Sequence, residues 1–363
     1  MREAGVTVTV PPRPVAVVGV GAVSVHGFDW RSSGVSALDG APRDPRPAAQ
    51  LRASHPTLAT FEVGPIPPGE DAGDARQRKL MTRAARLAAI ATRKALDAAR
   101  FHERRDEIGF YLGVGASGVA MDEIVPMLRA SREGETFSLA RFGREGLAAC
   151  NPLFAFQTMN NFTLCHAAIL TGVGGPNGAL YSRGAATVQA LEEALWAITE
   201  GACDRCLAGG ADSALHPVTI DEFERDGLLS RALVPSEGAA VLALSAHSDT
   251  PVAHVTRAAR VSYRHRPLGH ALGALRGVCG EPPDLVLIAP WGEPPREALR
   301  AFARSLNPGA RVLDLSAHWG ESLAATPALA WTAAIDILAT GRARRVLVLS
   351  AGIDREIAAV TFQ

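Results

Sequence analysis

The sequence predicts a layered α/β protein, and three observations point there. Apolar residues make up 47% of the 363 positions and charged residues only 20%, which is enough apolar material for a large core. Ala-rich stretches of helical length alternate with short Val/Leu runs of strand length, and glycine, at 35 residues, is frequent between them. Two segments read as copies of one unit, Asp204-Arg-Cys-Leu-Ala-Gly-Gly-Ala-Asp212 and Arg345-Val-Leu-Val-Leu-Ser-Ala-Gly-Ile-Asp354. Each is a strand capped by small residues after an Ala-rich helix, the mark of an internal duplication. The two halves are placed at about Arg13–His247 and Pro251–Gln363.

The elements follow in order. Val15 to Ser24 is a buried strand running into a Gly-rich turn. Gly40 to Asp74 carries Pro42, Pro45, Pro47, Pro56, Pro65, Pro67 and Pro68, so it reads as surface loop with one short strand at Phe61–Val63. Lys79 to Ala99 is an amphipathic helix with Arg and Lys on its wet face. Glu107 to Val114 is a second buried strand, and Gly118 to Ala140 is helix and loop. Asn151 to Thr171 joins an aromatic entry to an apolar helix. Ala179 to Ser182 is a short strand, Arg183-Gly184 a tight turn and Ala185 to Thr199 a helix. Asp204–Ala211 and Ala239–Leu244 are strands. The second half repeats the grammar: strand Asp284–Ile288, helix Pro295–Leu306, strand Arg311–Leu315, helix Leu323–Ala339, and closing strands Arg345–Ser350 and Ile357–Phe362.

Lys+Arg and Asp+Glu are 37 each, and this balance argues against a nucleic-acid binder. The five cysteines imply no disulfide framework. Cys203-Asp-Arg-Cys206 is a lone CxxC without the second ligand pair that a zinc site uses, so structural cysteines are expected and no metal is implied. Gly19-x-Gly21 lacks the completed dinucleotide fingerprint, and no cofactor is implied. Met1 to Val10 has no apolar core of signal-peptide length, and the apolar stretch Leu323 to Gly341 is broken by Pro327 and Asp336. A soluble cytoplasmic protein without a membrane span is the expectation.

Four segments together resemble the β-ketoacyl synthases of the thiolase fold. They are Val15-Ala-Val-Val-Gly-Val-Gly-Ala-Val-Ser24, the ungapped stretch Asn151 to Asn177 with its Pro, Asn, His and Gly-Pro positions, Glu200 to Asp212, and the pair Gly227-Leu-Leu-Ser230 with Ser236-Glu-Gly-Ala-Ala240. The resemblance spans nearly the whole chain. It implies a thiolase-like α/β fold, two related halves in a layered αβαβα arrangement.

The family's chemistry places an acyl-accepting cysteine on a strand-to-helix turn, where the helix N-terminus favours the thiolate. Two histidines promote decarboxylation of the malonyl unit, and a lysine supports the second. In this sequence the cysteine slot is Gly184. The first histidine slot falls at Pro290 or Trp291. The Lys-Ser-x-x-Gly-His motif reads Ser316-Ala-His-Trp-Gly-Glu321, so lysine becomes Ser316 and histidine becomes Glu321, with His318 three residues early. The closing Gly-Phe-Gly-Gly loop becomes Ala351-Gly-Ile-Asp354. All four catalytic positions are lost together.

That pattern resembles the chain-length factor, or ketosynthase β-subunit, of type II polyketide synthases. The resemblance implies a non-catalytic subunit that heterodimerises with an active ketosynthase and helps to shape the acyl tunnel while a polyketide or fatty-acyl chain grows on an acyl carrier protein. Aromatic-pathway subunits commonly carry glutamine at the cysteine slot. Gly184 departs from that, and the aryl polyene or polyene branch stands beside the aromatic one.

By the same resemblance, Leu153, Phe154, Phe156, Met159 and Phe162 wall the tunnel or the subunit seam, against the plainer reading of ordinary core residues. Ser182 sits beside the lost nucleophile but in an incomplete Gly-x-Ser-x-Gly elbow, and a structural serine is the simpler reading. Cys165 and His166 read as packing residues. Arg183 either fills the emptied pocket or meets a carboxylate, and whether Gly184 leaves a cavity or is covered by Arg183 or Tyr181 stays open. The basic run Arg76-Gln-Arg-Lys79 with Arg83 and Arg86 is either a solvated face or a landing site for an acidic carrier protein. Two rivals remain: a stand-alone thiolase-fold acyltransferase or hydrolase using a nucleophile such as Ser182, and a homodimeric carrier-protein-binding scaffold.

Overall fold

The computed structural model describes residues 6–11, 13–32, 34, 39, 44–116 and 118–363. The reading of the N-terminus as lacking a signal-peptide core rests partly on residues 1–5, which lie outside these, as do residues 40–43 of the proline-rich segment.

The apolar runs become strands. They are β1 (Val6–Thr9), β2 (Val15–Val23), β3 (Gly109–Val114), β4 (Asn177–Tyr181), β5 (Arg205–Ser213), β6 (Glu237–Ser245), β7 (Ala253–Ser262), β8 (Leu285–Pro290), β9 (Arg311–Asp314), β10 (Val346–Ala351) and β11 (Glu356–Phe362). The main helices are α1 (Arg83–Ala98), α2 (Met121–Ala130), α3 (Phe162–Thr171), α4 (Val188–Thr199), α5 (Pro217–Arg225), α6 (Leu268–Arg276), α7 (Pro295–Leu306) and α8 (Thr326–Ala339). Pro295 and Pro327 sit in the first turns of their helices, where the missing N–H costs nothing.

The strand order is β9-β8-β10-β11-β7-β2-β6-β5-β3-β4, with β1 also pairing with β7. Split between β7 and β2, it gives two five-stranded sheets of identical plan. Numbering each set of five along the chain, both run 3-2-4-5-1. In each, strand 2 is parallel to strands 3 and 4, and strand 5 is antiparallel to strands 4 and 1. Among the described residues the sheets join where Val15–Val17 pair with Ala253–Val255.

Period-two alternation sorts the side chains into layers. Along β8, Leu285 and Leu287 face one core while Val286 and Ile288 face another, and β10 divides Val346 and Val348 from Leu347 and Leu349 in the same way. Helices α4 and α8 lie between the sheets in a central core with Leu191, Leu195 and Trp331. Helices α1 and α3 cover the outer face of the first sheet, and α6 and α7 that of the second. The result is the five-layered αβαβα arrangement the sequence implied. Strands covered on both faces read as continuous apolar runs, which is why they were legible. A helix between two sheets is apolar on all sides, and Trp331 of α8 is fully buried. Across the layers, Arg260 of β7 bonds Glu192 of α4 at 2.8 Å and lies 3.4 Å from Glu356 of β11. No helix of the described residues is long and apolar enough to cross a membrane.

Three readings need correction. Phe61–Val63 is no strand: Phe61 makes one isolated parallel bridge to Ser236. Strand β7 was not anticipated, because His254, Arg257 and Arg260 interrupt its apolar run. The basic run is only partly a free patch, because Arg78, Arg83 and Arg86 are ion-paired. Arg83 meets buried Glu237 at 2.9 Å, Arg86 meets Asp71 at 2.7 Å, and Arg93 and Lys94 share Glu70.

Candidate functional site

Parallel strands bring functional groups to their C-terminal ends. Here the ends of β3, β4 and β5 in one half face those of β8, β9 and β10 in the other. Ser182 and Gly184 follow β4, and Asp212 closes β5. Pro290 ends β8, Ser316 follows β9, and Gly352 and Asp354 follow β10.

Gly184 opens the turn that leads through Ala185–Thr187 into α4, so the expected slot does lie at a helix N-terminus. Its φ of +142° is a conformation side-chain-bearing residues avoid. The space where a side chain would stand is taken by the backbone of Gly352. A Cβ on Gly184 would be driven into the Gly352 Cα, and a Cβ on Gly352 would come within 2.7 Å of the Gly184 Cα. The slot therefore holds neither a cavity nor the side chain of Arg183 or Tyr181. Tyr181 points outward and is exposed. Arg183 meets a carboxylate instead, Glu222 of α5 at 2.9 Å.

Ser182 is buried and fully engaged. Its hydroxyl donates to the Gly184 carbonyl at 2.9 Å, accepts the Gly184 N–H at 3.1 Å and lies 3.4 Å from Asp354 Oδ2. None of these partners is an imidazole base. The contacts brace the turn, as a structural serine would.

Three carboxyl groups gather around this turn, those of Asp212 and Glu321 buried and that of Asp354 half-buried. Asp354 accepts the N–H of Ala186 at 3.0 Å, tying the loop after β10 to the turn before α4. Asp212 accepts the N–H of Ser213 at 2.8 Å. Glu321 accepts from the Leu323 N–H at 2.6 Å and the Thr326 hydroxyl at 2.9 Å, while its Oε2 is buried without a partner. Burial pushes Asp212 up to about 7, Glu321 up to about 8 and Asp354 up to about 6. The Asp354 and Asp212 charges raise Glu321 further, and Arg183 draws Asp212 back. At neutral pH, Glu321 therefore holds its proton.

The other positions that the resemblance singles out are engaged by their neighbours. Pro290 pairs with Ala351 inside the sheet. Trp291 is buried and its backbone N–H donates to the Ala351 carbonyl at 3.1 Å. The Ser316 hydroxyl donates to Asp314 at 2.6 Å and accepts from Arg296 at 3.1 Å. Phe61, Pro290, Trp291, Arg296, Ser316 and Glu321 line one cleft of about 640 Å³. His318 is not at the histidine slot. Its ring packs beside Trp319, and burial lowers its pKa.

The aromatic segment lies elsewhere on the molecule. Leu153 is 47% and Met159 50% exposed, whereas Phe154, Phe156 and Phe162 are half-buried. Phe156 and Phe162 meet edge to face at 4.8 Å. Cys165 and His166 lie on α3, and burial lowers the His166 pKa. Leu139 (75%) and Ile169 (70%) are exposed as well. Strand β4 ends the sheet order, so one of its edges has no strand partner among the described residues.

Sequence reasoning did not single out Gly352, Asp212, Asp354 or Ile169. The first three carried a signal: both copy-like segments end in small residues and an aspartate, and both aspartates arrive in this one site.

The comparisons agree with this architecture. A family model described as the N-terminal domain of β-ketoacyl synthase matches residues 12–250. The chain belongs to the β-ketoacyl synthase family. No curated protein matches the sequence. Among solved structures it is similar to the ishigamide ketosynthase/chain length factor, at 18% identity and a TM-score of 0.77, covering 96% of this chain and 98% of that one. It is similar to a β-ketoacyl synthase from Burkholderia phymatum STM815, at 16% identity and a TM-score of 0.76, covering 97% and 99%. It is also similar to a chain from a type II polyketide synthase acyl-carrier protein in complex with its ketosynthase bound to the hexaketide, at 16% identity and a TM-score of 0.75, covering 98% and 99%. At such identities these likenesses establish the thiolase-like fold.

Proposed function

We propose that this chain is a non-catalytic ketosynthase-like subunit, a chain-length factor. It pairs with an active β-ketoacyl synthase as a heterodimer and helps to shape the acyl tunnel during carrier-protein-bound polyketide or polyene elongation. The observation that carries the reading is the closed nucleophile slot. Gly184 offers no thiol, and the Gly352 backbone leaves no room for one. The histidine and lysine slots hold Pro290 or Trp291, Glu321 and Ser316, which supply no imidazole and no ammonium group. Two features support pairing: one edge of β4 has no strand partner among the described residues, and the apolar side chains of Met159 and Ile169 are exposed. On this reading Leu153, Phe154, Phe156, Met159 and Phe162 meet the partner subunit or its acyl chain. We also take residues 13–247 as a first half and 251–363 as a second, a division that the repeated strand plan supports.

The test is reconstitution with an active ketosynthase, a malonyl-loaded carrier protein and a starter acyl group. The chain alone should accept no acyl group. Its addition should raise the partner's chain elongation or change the product length. Stoichiometric acylation of this chain in isolation would refute the proposal.

A further inference from the structure

The sequence implied no metal, but the fold brings together three ligand-bearing side chains that lie far apart along the chain. We propose that His55, Asp221 and Glu224 form a binding site for a divalent transition-metal ion of the zinc class. One ring nitrogen of His55 and one carboxylate oxygen each of Asp221 and Glu224 lie within 4.8 Å of one another.

Both sides of the site are held by packing. Asp221 and Glu224 are three residues apart on α5 and so share a face. Ile220 and Phe223 of the same helix are buried against Leu51. The Leu51 carbonyl in turn accepts the N–H of His55 at 2.7 Å, which sets the imidazole over the helix. His55 is mostly covered, at 13% exposed, while Glu224 stands half in solvent at 53%.

The proton arrangement favours a cation. The Ser54 hydroxyl donates to the Leu51 carbonyl at 3.4 Å. Its oxygen is then free to accept from His55 Nδ1, 2.9 Å away. With the ring proton on Nδ1, the Nε2 lone pair faces the Glu224 carboxylate. A second hydrogen bond that fixes the tautomer in this way is the usual support of a metal-binding histidine. The Nε2···Oε2 separation to Glu224 is 3.5 Å. A charge-assisted hydrogen bond would be about 2.7–2.9 Å. Two ligands held about 2.1 Å from one tetrahedral ion stand about 3.4 Å apart. The spacing of the His55–Glu224 pair is that of a tetrahedral edge. One nitrogen and two oxygens with a water in the fourth position suit zinc, and the imidazole disfavours magnesium. A bound ion would clip the proline-rich segment to α5, the helix whose Glu222 holds Arg183.

The test is calorimetric titration of the tag-free, metal-free chain with zinc chloride at neutral pH. One equivalent should bind, magnesium should not compete, and His55→Ala should weaken binding at least about tenfold. Glu224→Gln, at a half-exposed position, should weaken binding similarly while the unfolding midpoint of the metal-free chain stays unchanged. Cobalt should give the visible bands of a tetrahedral complex. No binding, or zinc binding unchanged in both variants, would overturn the proposal and leave an imidazolium–carboxylate pair.

Discussion

Restoring a side chain at Gly184 tests whether the nucleophile slot is closed by the fold rather than merely lacking a thiol. Two costs follow from the structure. The backbone at φ +142° is one L-residues rarely adopt, and holding it costs on the order of 1–3 kcal/mol. The new Cβ must also displace the Gly352 Cα, and overpacking of this kind costs about 1–3 kcal/mol. Gly184→Cys should therefore lose about 2–6 kcal/mol, a large part of the roughly 5–15 kcal/mol typical of a folded domain. Gly184→Ala should lose nearly as much, because the clash lies at Cβ and not at sulfur. The assay is urea unfolding of parent and both variants, with exposure to an acyl-thioester donor in parallel. Midpoints should fall for both, and Gly184→Cys should gain no acyl group. A Gly184→Cys variant as stable as the parent and acylated in full would refute the reasoning.

Three further outcomes are expected. Burial lifts Glu321 from an ordinary 4.5 to about 8, so between those values the native state holds a proton that the unfolded chain releases, and stability must fall as pH rises through that window. Unfolding midpoints measured from pH 5 to 8 should show that decline, and Glu321→Gln should lessen it, most of all above pH 7, with Asp212 and Asp354 supplying the remainder at lower pH. Arg83→Ala leaves buried Glu237 without its guanidinium and should cost about 3–5 kcal/mol by urea unfolding, largely recovered by adding Glu237→Gln. Ile169→Asp changes a side chain 70% exposed, so the free chain should keep its stability within about 0.5 kcal/mol. On the pairing account the same change should weaken assembly with a ketosynthase at least tenfold by sedimentation.

Much of the fold was legible because strands covered on both faces spell continuous apolar runs, as in Val15–Val23 and Leu285–Pro290. The duplication was legible in two matching strand ends, and the sheets repeat one strand order. Strand β7 was hidden because Arg260 serves Glu192 and Glu356 rather than an apolar face. The turn at Gly184 and the helix after it were legible, since both are local. Closure of the slot by Gly352 was not, because that contact joins the two halves. The acid cluster had the same obstacle: Asp212, Glu321 and Asp354 become neighbours only when both sheets bring their strand ends together. Exposure at Leu153 and Met159 was equally unreadable, for an apolar residue in a helix-rich stretch reads the same whether it faces a core or a partner.

The central claim is that this chain completes another subunit. Native mass measured after co-expression with an intact ketosynthase tests it most directly. The account predicts a stable one-to-one complex that survives dilution and is lost on Ile169→Asp. A homodimer of this chain that ignores the ketosynthase would contradict it.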